Sequence, residues 1–267
     1  MFRAVFANQK GGVGKTTSTL TIGRCFADLG YKVLLVDTDN QGNIATILGL
    51  KTSGKNLFSF LVKGYALKDC VIEAVPNLDV LCGDRETEKA EAVINVDSGK
   101  QYAFVSCFPK PESSIYDVIL FDAAPTITLL GTCAAVYTQR VIVPVSMDSL
   151  AIQGAVGSIS AYEQINRDSN AVLNIQIAGI LPVMVDRRLQ ITQSILDSIK
   201  DLSARKGIPV LPAVRTDAIV TRAWKKHEFL QEFEPASKAL LDYKASSEAL
   251  AELYKGQFDG RKLEQTA

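Results

Sequence analysis

Ten residues near the start of the chain, Asn8-Gln9-Lys10-Gly11-Gly12-Val13-Gly14-Lys15-Thr16-Thr17, constrain its fold more than any other segment. A short β-prone run at 2–7 precedes them, and an amphipathic helical pattern at 17–29, closed by Gly30, follows. In a strand, loop and helix of this kind, backbone N–H groups turn inward around phosphate oxygens. A helix opening at Lys15 adds its positive end. The phosphate-loop pattern G-x-x-x-x-G-K-[ST] is met loosely, because Gln9 stands where its first glycine belongs. The pattern assigns Lys15 to the β- and γ-phosphates and the Thr16 hydroxyl to Mg2+. Nothing in such a cradle needs Lys10, which points to service elsewhere, across an interface between two subunits.

Apolar runs ending in acids recur. Residues 32–37 and 118–122 read as buried parallel strands that deliver a carboxylate to the C-terminal edge of a sheet. Further strands are expected at 78–82, 140–145 and 176–183, with a short one at 209–212. Helices are expected at 42–48, 56–62, 86–94, 128–137, 150–167, 190–206, 218–226 and 236–254. Residues 97–114, with Gly99, Pro109 and Pro111, read as a loop or a poorly ordered connection. The alternation predicts an α/β fold: a doubly wound, mostly parallel sheet with helices on both faces. One domain is expected over 1–255, followed by a polar, flexible tail at 256–267.

Composition removes several classes. The formal net charge is zero, so nucleic-acid binding would need a local basic patch. No apolar run approaches the roughly 18–20 residues of a membrane span. The opening residues run straight into the loop, so no secretory signal is expected. Cysteines at 25, 70, 82, 107 and 133 lack C-x-x-C spacing, which suits reduced thiols in a cytoplasm.

Two acidic segments accompany the loop. In Asp37-Thr38-Asp39-Asn40-Gln41-Gly42-Asn43, two carboxylates face the same way if the strand continues. One can hold Mg2+ through water and the other position an attacking water. Taken alone, the segment reads more readily as an acidic turn capping a helix. In Tyr116-Asp117-Val118-Ile119-Leu120-Phe121-Asp122-Ala123-Ala124-Pro125-Thr126, the strand ends in an acid suited to Mg2+ or its water.

The string from Lys10 to Thr17 is similar to the deviant Walker A loop of the ParA/MinD ATPases, a branch of the P-loop NTPases. The segment from Asp37 resembles the family's D-x-D-P-Q-G-N, with Asn40 replacing proline. Asp122-Ala123-Ala124-Pro125 stands where the family has D-T-P-P. Pro144-Val145, Ala151-Ile152-Gln153-Gly154, Gly179-Ile180-Leu181, Asp186-Arg187-Arg188 and Tyr243 resemble later blocks. The resemblance spans roughly 1–255 and is nearest to the short, single-domain, Soj-like form of ParA. It implies that ATP is held by Lys10, Gly11, Gly12, Val13, Gly14, Lys15, Thr16 and Thr17, and Mg2+ by Thr16, Asp37 and Asp122. Lys10, acting in trans, Lys15 and Asp39, orienting the water, are the implied catalytic residues. The base is expected near 212–217.

The implied function is an ATP-dependent dimerising switch with slow ATPase activity in plasmid or chromosome segregation. Its ATP-bound homodimer would bind nonspecific DNA on the nucleoid and be released when a ParB-type adaptor stimulates hydrolysis. A same-family ATPase positioning a protein cargo, such as a carboxysome or chemotaxis cluster, is the alternative. A MinD-like membrane regulator is disfavoured, because the last residues offer only Phe258 and Leu263 as bulky apolar groups. Basic residues gather late, at Arg187, Arg188, Lys200, Arg205, Lys206, Arg215, Arg222, Lys225 and Lys226. Composition allows a solvated helix face as readily as a binding surface. The resemblance implies DNA contact through Arg187, Arg188, Arg215, Arg222, Lys225 and Lys226. Cys133 reads as a small buried side chain, and the lone histidine, His227, as exposed.

Overall fold

Side chains alternate along the strands, and both faces of the sheet they form are buried. The computed structural model describes residues 1–258 apart from Ser98, Glu112 and Ala171. Its strands are β1 (Phe2–Phe6), β2 (Val33–Asp37), β3 (Ile72–Val75), β4 (Leu78–Leu81), β5 (Val118–Asp122), β6 (Arg140–Ser146) and β7 (Gln176–Val183). They form one sheet in the order β3-β4-β2-β5-β1-β6-β7, parallel except where β3 meets β4. The helices are α1 (Lys15–Asp28), α2 (Asn43–Leu48), α3 (Leu57–Leu61), α4 (Leu67–Cys70), α5 (Thr87–Ile94) and α6 (Ala103–Cys107). They continue as α7 (Leu129–Thr138), α8 (Ser149–Asp168), α9 (Gln190–Lys206), α10 (Ala218–Lys226), α11 (Leu230–Phe233) and α12 (Lys238–Leu253).

Val5, Leu34, Val36, Ile119, Phe121, Val141 and Val143 point to one face and pack against α7, α8 and α9. Phe2, Ala4, Phe6, Val33, Leu35, Val118 and Leu120 point to the other, against α1 and α12. This is the period of two that a strand imposes, with apolar residues on both sides because helices cover both. Phe6 and Asp37 both lie in register with Asp122. The C-terminal ends of β1, β2 and β5 therefore finish level, and their loops share one edge, where β2 departs to one side of β1 and β6 to the other.

Several expectations need correction. Residues 97–114 are not a loose connection, for they hold a 3-10 turn (Lys100–Tyr102) and α6. Phe104 is fully buried, and Phe104 and Phe108 stand 5.7 and 5.2 Å from the Phe121 ring. The helix expected at 236–254 starts at Lys238, because the Ser237 hydroxyl accepts the Leu240 N–H at 3.2 Å. Residues 209–212 reach the sheet only through a bridge of Val210 to Ile180, since Pro209 and Pro212 carry no N–H. The packed chain runs to Phe258, whose ring lies 5.0 Å from Phe2 and 5.1 Å from Phe26. The rest of the expected tail, 259–267, lies outside the described residues.

Phe104→Ala is expected to destabilise the protein by roughly 3–5 kcal/mol in urea unfolding, as for other buried phenylalanines. A loss below about 0.5 kcal/mol would contradict the packed role of α6.

Candidate nucleotide and metal site

The loop between β1 and α1 is fixed before any ligand arrives. Asn8 Nδ2 donates to the Pro144 carbonyl at 2.8 Å, and Asn8 Oδ1 accepts the Lys10 N–H at 3.0 Å. The Gln9 N–H donates to Ser158 Oγ on α8 at 2.8 Å. A β-carbon on Gly154 of α8 would lie 2.6 Å from Asn8 Oδ1, so only glycine lets the helix floor the loop. Gly12 and Gly14 hold φ of +74° and +77°, left-handed values that suit glycine and turn the N–H groups inward. None of Asn8, Gly154 and Ser158 was assigned a role from the sequence, although Gly154 fell within a block resembling the family.

Lys15 is buried, and its ammonium donates to the carbonyls of Asn8 at 3.2 Å and Lys10 at 3.1 Å. Burial lowers its pKa, opposed by the carboxylates of Asp122 and Asp39. The Thr16 hydroxyl donates to Asp122 Oδ2 at 2.6 Å, while the buried Asp122 Oδ1 has no hydrogen-bond partner among the described residues. Burial, then the neighbouring Asp37 carboxylate, pushes Asp122 well above the usual carboxylate range. Asp37 is fully buried. Its oxygens accept the N–H groups of Asp39 at 2.9 Å and Ile44 at 3.1 Å. Burial pushes its carboxyl up to about 7, against the pull of those two N–H groups. Both its oxygens thus bind the turn that carries Asp39 and opens α2.

Asp39 lies on the wall of a cavity of about 380 Å³ that it shares with Gly12, Lys15, Thr16, Asn43 and Pro125. A second cavity, about 270 Å³, adjoins it at Gly14 and Thr17 and is lined by Val183, Val214, Thr216, Asp217 and Tyr243. The first brings the Lys15 ammonium together with the glycine loop and fits phosphates. The second is more apolar and fits a base, in the region expected near 212–217. Among the described residues no group of three or more His, Cys, Asp or Glu side chains could enclose a metal. The orphaned Asp122 oxygen beside the Thr16 hydroxyl nevertheless fits Mg2+, which favours one or two protein oxygens together with phosphates and waters.

Lys10 lies outside this cradle. Its ammonium pairs with Asp148 Oδ1 on the neighbouring edge. Asp148 also caps α8 through the N–H groups of Leu150 and Ala151. Although partial burial works the other way, hydrogen bonds from Lys10 and Ser146 hold its carboxyl below the usual range.

The basic residues separate once folded. Arg188 pairs with Asp186 and Arg215 with Asp242, while Lys200 and Lys206 pair with Asp197 and Glu163. Arg222, Lys225 and Lys226 project from α10, exposed and without an ion pair among the described residues. Arg187 is exposed near Asp242, whose pKa it helps to lower.

A glycine loop between a central parallel strand and a helix, its threonine bonded to an acid from the adjacent strand, defines the P-loop nucleoside triphosphatase class. A family model described as an AAA domain matches residues 3–175. The chromosome partitioning protein ParA of Caulobacter vibrioides is 30% identical over 212 residues, covering 78% of each chain. Soj of Bacillus subtilis, a sporulation initiation inhibitor, is 29% identical over 196 residues, covering 72% of this chain and 76% of its own. The chain belongs to the ParA/MinD family of P-loop ATPases, in its Soj-like branch. Among solved structures, a Mycobacterium smegmatis cobyrinic acid a,c-diamide synthase with bound ATP analogue and magnesium superposes with a TM-score of 0.79. It is 25% identical, with 98% of each chain covered. The MinD of Pyrococcus horikoshii complexed with Mg-ADP, at 19% identity, shares the fold with a TM-score of 0.73 over 96% of this chain and 99% of that one.

Lys15→Gln is expected to abolish ATP binding, measured by calorimetry, while the melting temperature without nucleotide is kept. Undiminished binding would remove Lys15 from the phosphate position.

Proposed function

We propose that the protein is an ATP-dependent dimerisation switch that partitions DNA, holding ATP and Mg2+ between its loop and Asp122. The observation that carries this reading is the division of labour between two lysines. Lys15 sits inside the cradle, whereas Lys10 is outside it and tied to Asp148 at the rim. A second subunit closing over the site would offer Lys10 a triphosphate, a stronger partner than one half-exposed carboxylate. Exposed apolar side chains on the surrounding loops and α8, Ile127 and Leu150 among them, support a face that a partner copy covers.

Chemistry at this site needs positioning and neutralisation of charge. Backbone N–H groups of residues 11–16 and the Lys15 ammonium hold the β- and γ-phosphates. Thr16 and Asp122 would hold Mg2+, which supplies further neutralisation when bound. Asp37 anchors the turn, and Asp39, on the cavity wall, orients the water. Lys10 of the opposite subunit completes the charge on the transferring phosphate. The base enters the cavity beside Thr216 and Asp217.

The DNA-binding surface is assigned to Arg222, Lys225 and Lys226 of α10, with Arg187, Arg188 and Arg215 as neighbours whose charge is in part already paired. Free cations of this kind give sequence-independent, salt-sensitive binding. Release would follow hydrolysis stimulated by a ParB-type adaptor.

Binding to a random-sequence duplex is expected with ATP and absent with ADP or no nucleotide. With the three unpaired cations of α10 from each subunit, log affinity falls against log salt with a slope of about −5. ATP-driven dimers that ignore DNA at low salt would refute the assignment. Asp39→Ala is expected to retain ATP and accumulate dimer on size-exclusion chromatography, with turnover reduced at least about tenfold. Normal turnover in that variant would strip Asp39 of its role.

A further inference from the structure

His227 is the chain's one histidine, and its backbone occupies an unusual place. It follows α10 with φ +59°, closing the helix as its N–H donates to the Trp224 carbonyl and that of Glu228 to the Ala223 carbonyl. Glycine is the residue favoured at such a left-handed position, and a residue with a side chain there is strained. The ring compensates with contacts that glycine could not make. Its Nδ1 lies 3.1 Å from the Ile47 carbonyl, near the end of α2, and since a carbonyl can only accept, Nδ1–H donates. The ring also abuts Gly49, where an added β-carbon would stand 3.1 Å from His227 Cγ. His227 therefore pins the basic end of α10 to the C-terminal end of α2.

Both helices also border the nucleotide cavities. Asn43 and Ile47 of α2 line the phosphate cavity, and the N-terminus of α2 hangs from Asp37 through the Ile44 N–H. Ala218, Val220 and Thr221 of α10 line the second cavity, where Asp217 caps α10 and also accepts the Lys238 N–H at 3.0 Å. Occupation of the phosphate cavity bears on α2, and α2 touches the C-terminal end of α10. Occupation of the base cavity bears on the opposite end of the same helix. The exposed cations Arg222 and Lys225–Lys226 lie between and beside these two points of support.

We propose that His227 is a positioning residue that couples the phosphate site, through α2, to the basic surface of α10, so that the γ-phosphate sets the presentation of Arg222, Lys225 and Lys226. This rests on the reading of α10 as the DNA-binding surface for its biological meaning, but the mechanical link can be measured without DNA. Coupling of this sort is reciprocal: what nucleotide does to DNA affinity, DNA does to nucleotide affinity.

The test is His227→Gly, which removes the ring and keeps a residue suited to the left-handed backbone, so that global stability is unchanged or raised. Amide hydrogen exchange is followed on the full chain without nucleotide, with Mg-ADP and with a magnesium complex of a nonhydrolysable ATP analogue. In the natural chain the analogue is expected to change exchange at residues 225–228 at least about fivefold relative to Mg-ADP. In His227→Gly that difference is expected to fall below about twofold, while residues 217–221 still respond and analogue affinity stays within about threefold. In parallel, the ratio of duplex affinity with ATP to that with ADP is expected to drop at least about tenfold in the variant. Equal responses at 225–228 in both proteins, or none in the natural chain, would overturn the proposal. A natural chain that binds no DNA in any nucleotide state would sink the DNA reading instead, and the exchange data alone would then decide the link.

Discussion

Two carboxylates, Asp37 and Asp122, face one another across neighbouring parallel strands with essentially no exposure to water, and much of the molecule is arranged around them. Desolvation and mutual repulsion both disfavour their charged forms. Against them stand the Lys15 ammonium, the Thr16 hydroxyl and the two backbone N–H groups that Asp37 accepts. The balance falls short, which is why Asp37 titrates at about 7 and Asp122 is also displaced upward. An acid whose folded pKa stands above its unfolded value binds protons more readily in the folded chain. Its stabilising contribution is complete below about 4 and is lost as pH rises through about 7. That is opposite in sign to an ion-paired carboxylate, and it marks a site short of positive charge until a cation is bound.

The remedy cannot come from Lys10, because the fold holds that ammonium elsewhere. α8 rises directly under the loop, Gly154 leaves no space between them, and Asp148 at its first turn takes Lys10 as partner. Within the cradle, Lys15 already donates to the Asn8 and Lys10 carbonyls. Keeping the two cations apart leaves Lys15 within the cavity and Lys10 at its rim.

What the sequence made legible, and what it did not, follows from the range of the interactions involved. The helices Gln190–Lys206 and Ala218–Lys226 and the strands Val118–Asp122 and Gln176–Val183 could be bounded to the residue. Some of their stop signals are local: Gly207 after one helix, the Asp217 cap before the other, and the acid Asp122 that ends the strand Val118–Asp122. The loop and its acids were equally visible, since Gly14-Lys15-Thr16 and Asp122 carry their chemistry in their spacing. β3 was missed because it is a short edge strand with half-exposed side chains, and α6 because Gly99, Pro109 and Pro111 punctuate its ends and masked the two buried phenylalanines. Asp148, Gly154 and Ser158 act on the loop from about 140 residues away, a distance that no local pattern reports. The basic run looked uniform in sequence, yet Asp186 and Asp242 neutralise part of it only after folding.

The shortness of α2 gives these parts a common logic. Six residues cannot sustain a helix in water, where nucleation outweighs the few hydrogen bonds such a segment can form. Its position is therefore set by tertiary contacts: Ile44 in the core with Ala45, Ile47 and Leu48 packed around it, Asp37 and the left-handed Gly42 at one end, Gly49 and the His227 ring at the other. Gly42 is itself closed in, for a β-carbon there would meet the Gly83 carbonyl at 2.7 Å, and Gly83 in turn packs on the carbonyls of Asp37 and Asp39. The segment has little freedom to adjust on its own. An element of this kind has one end tied to Asp37 beside the cavity that fits phosphates and the other to the foot of a basic helix, so it spans the two sites.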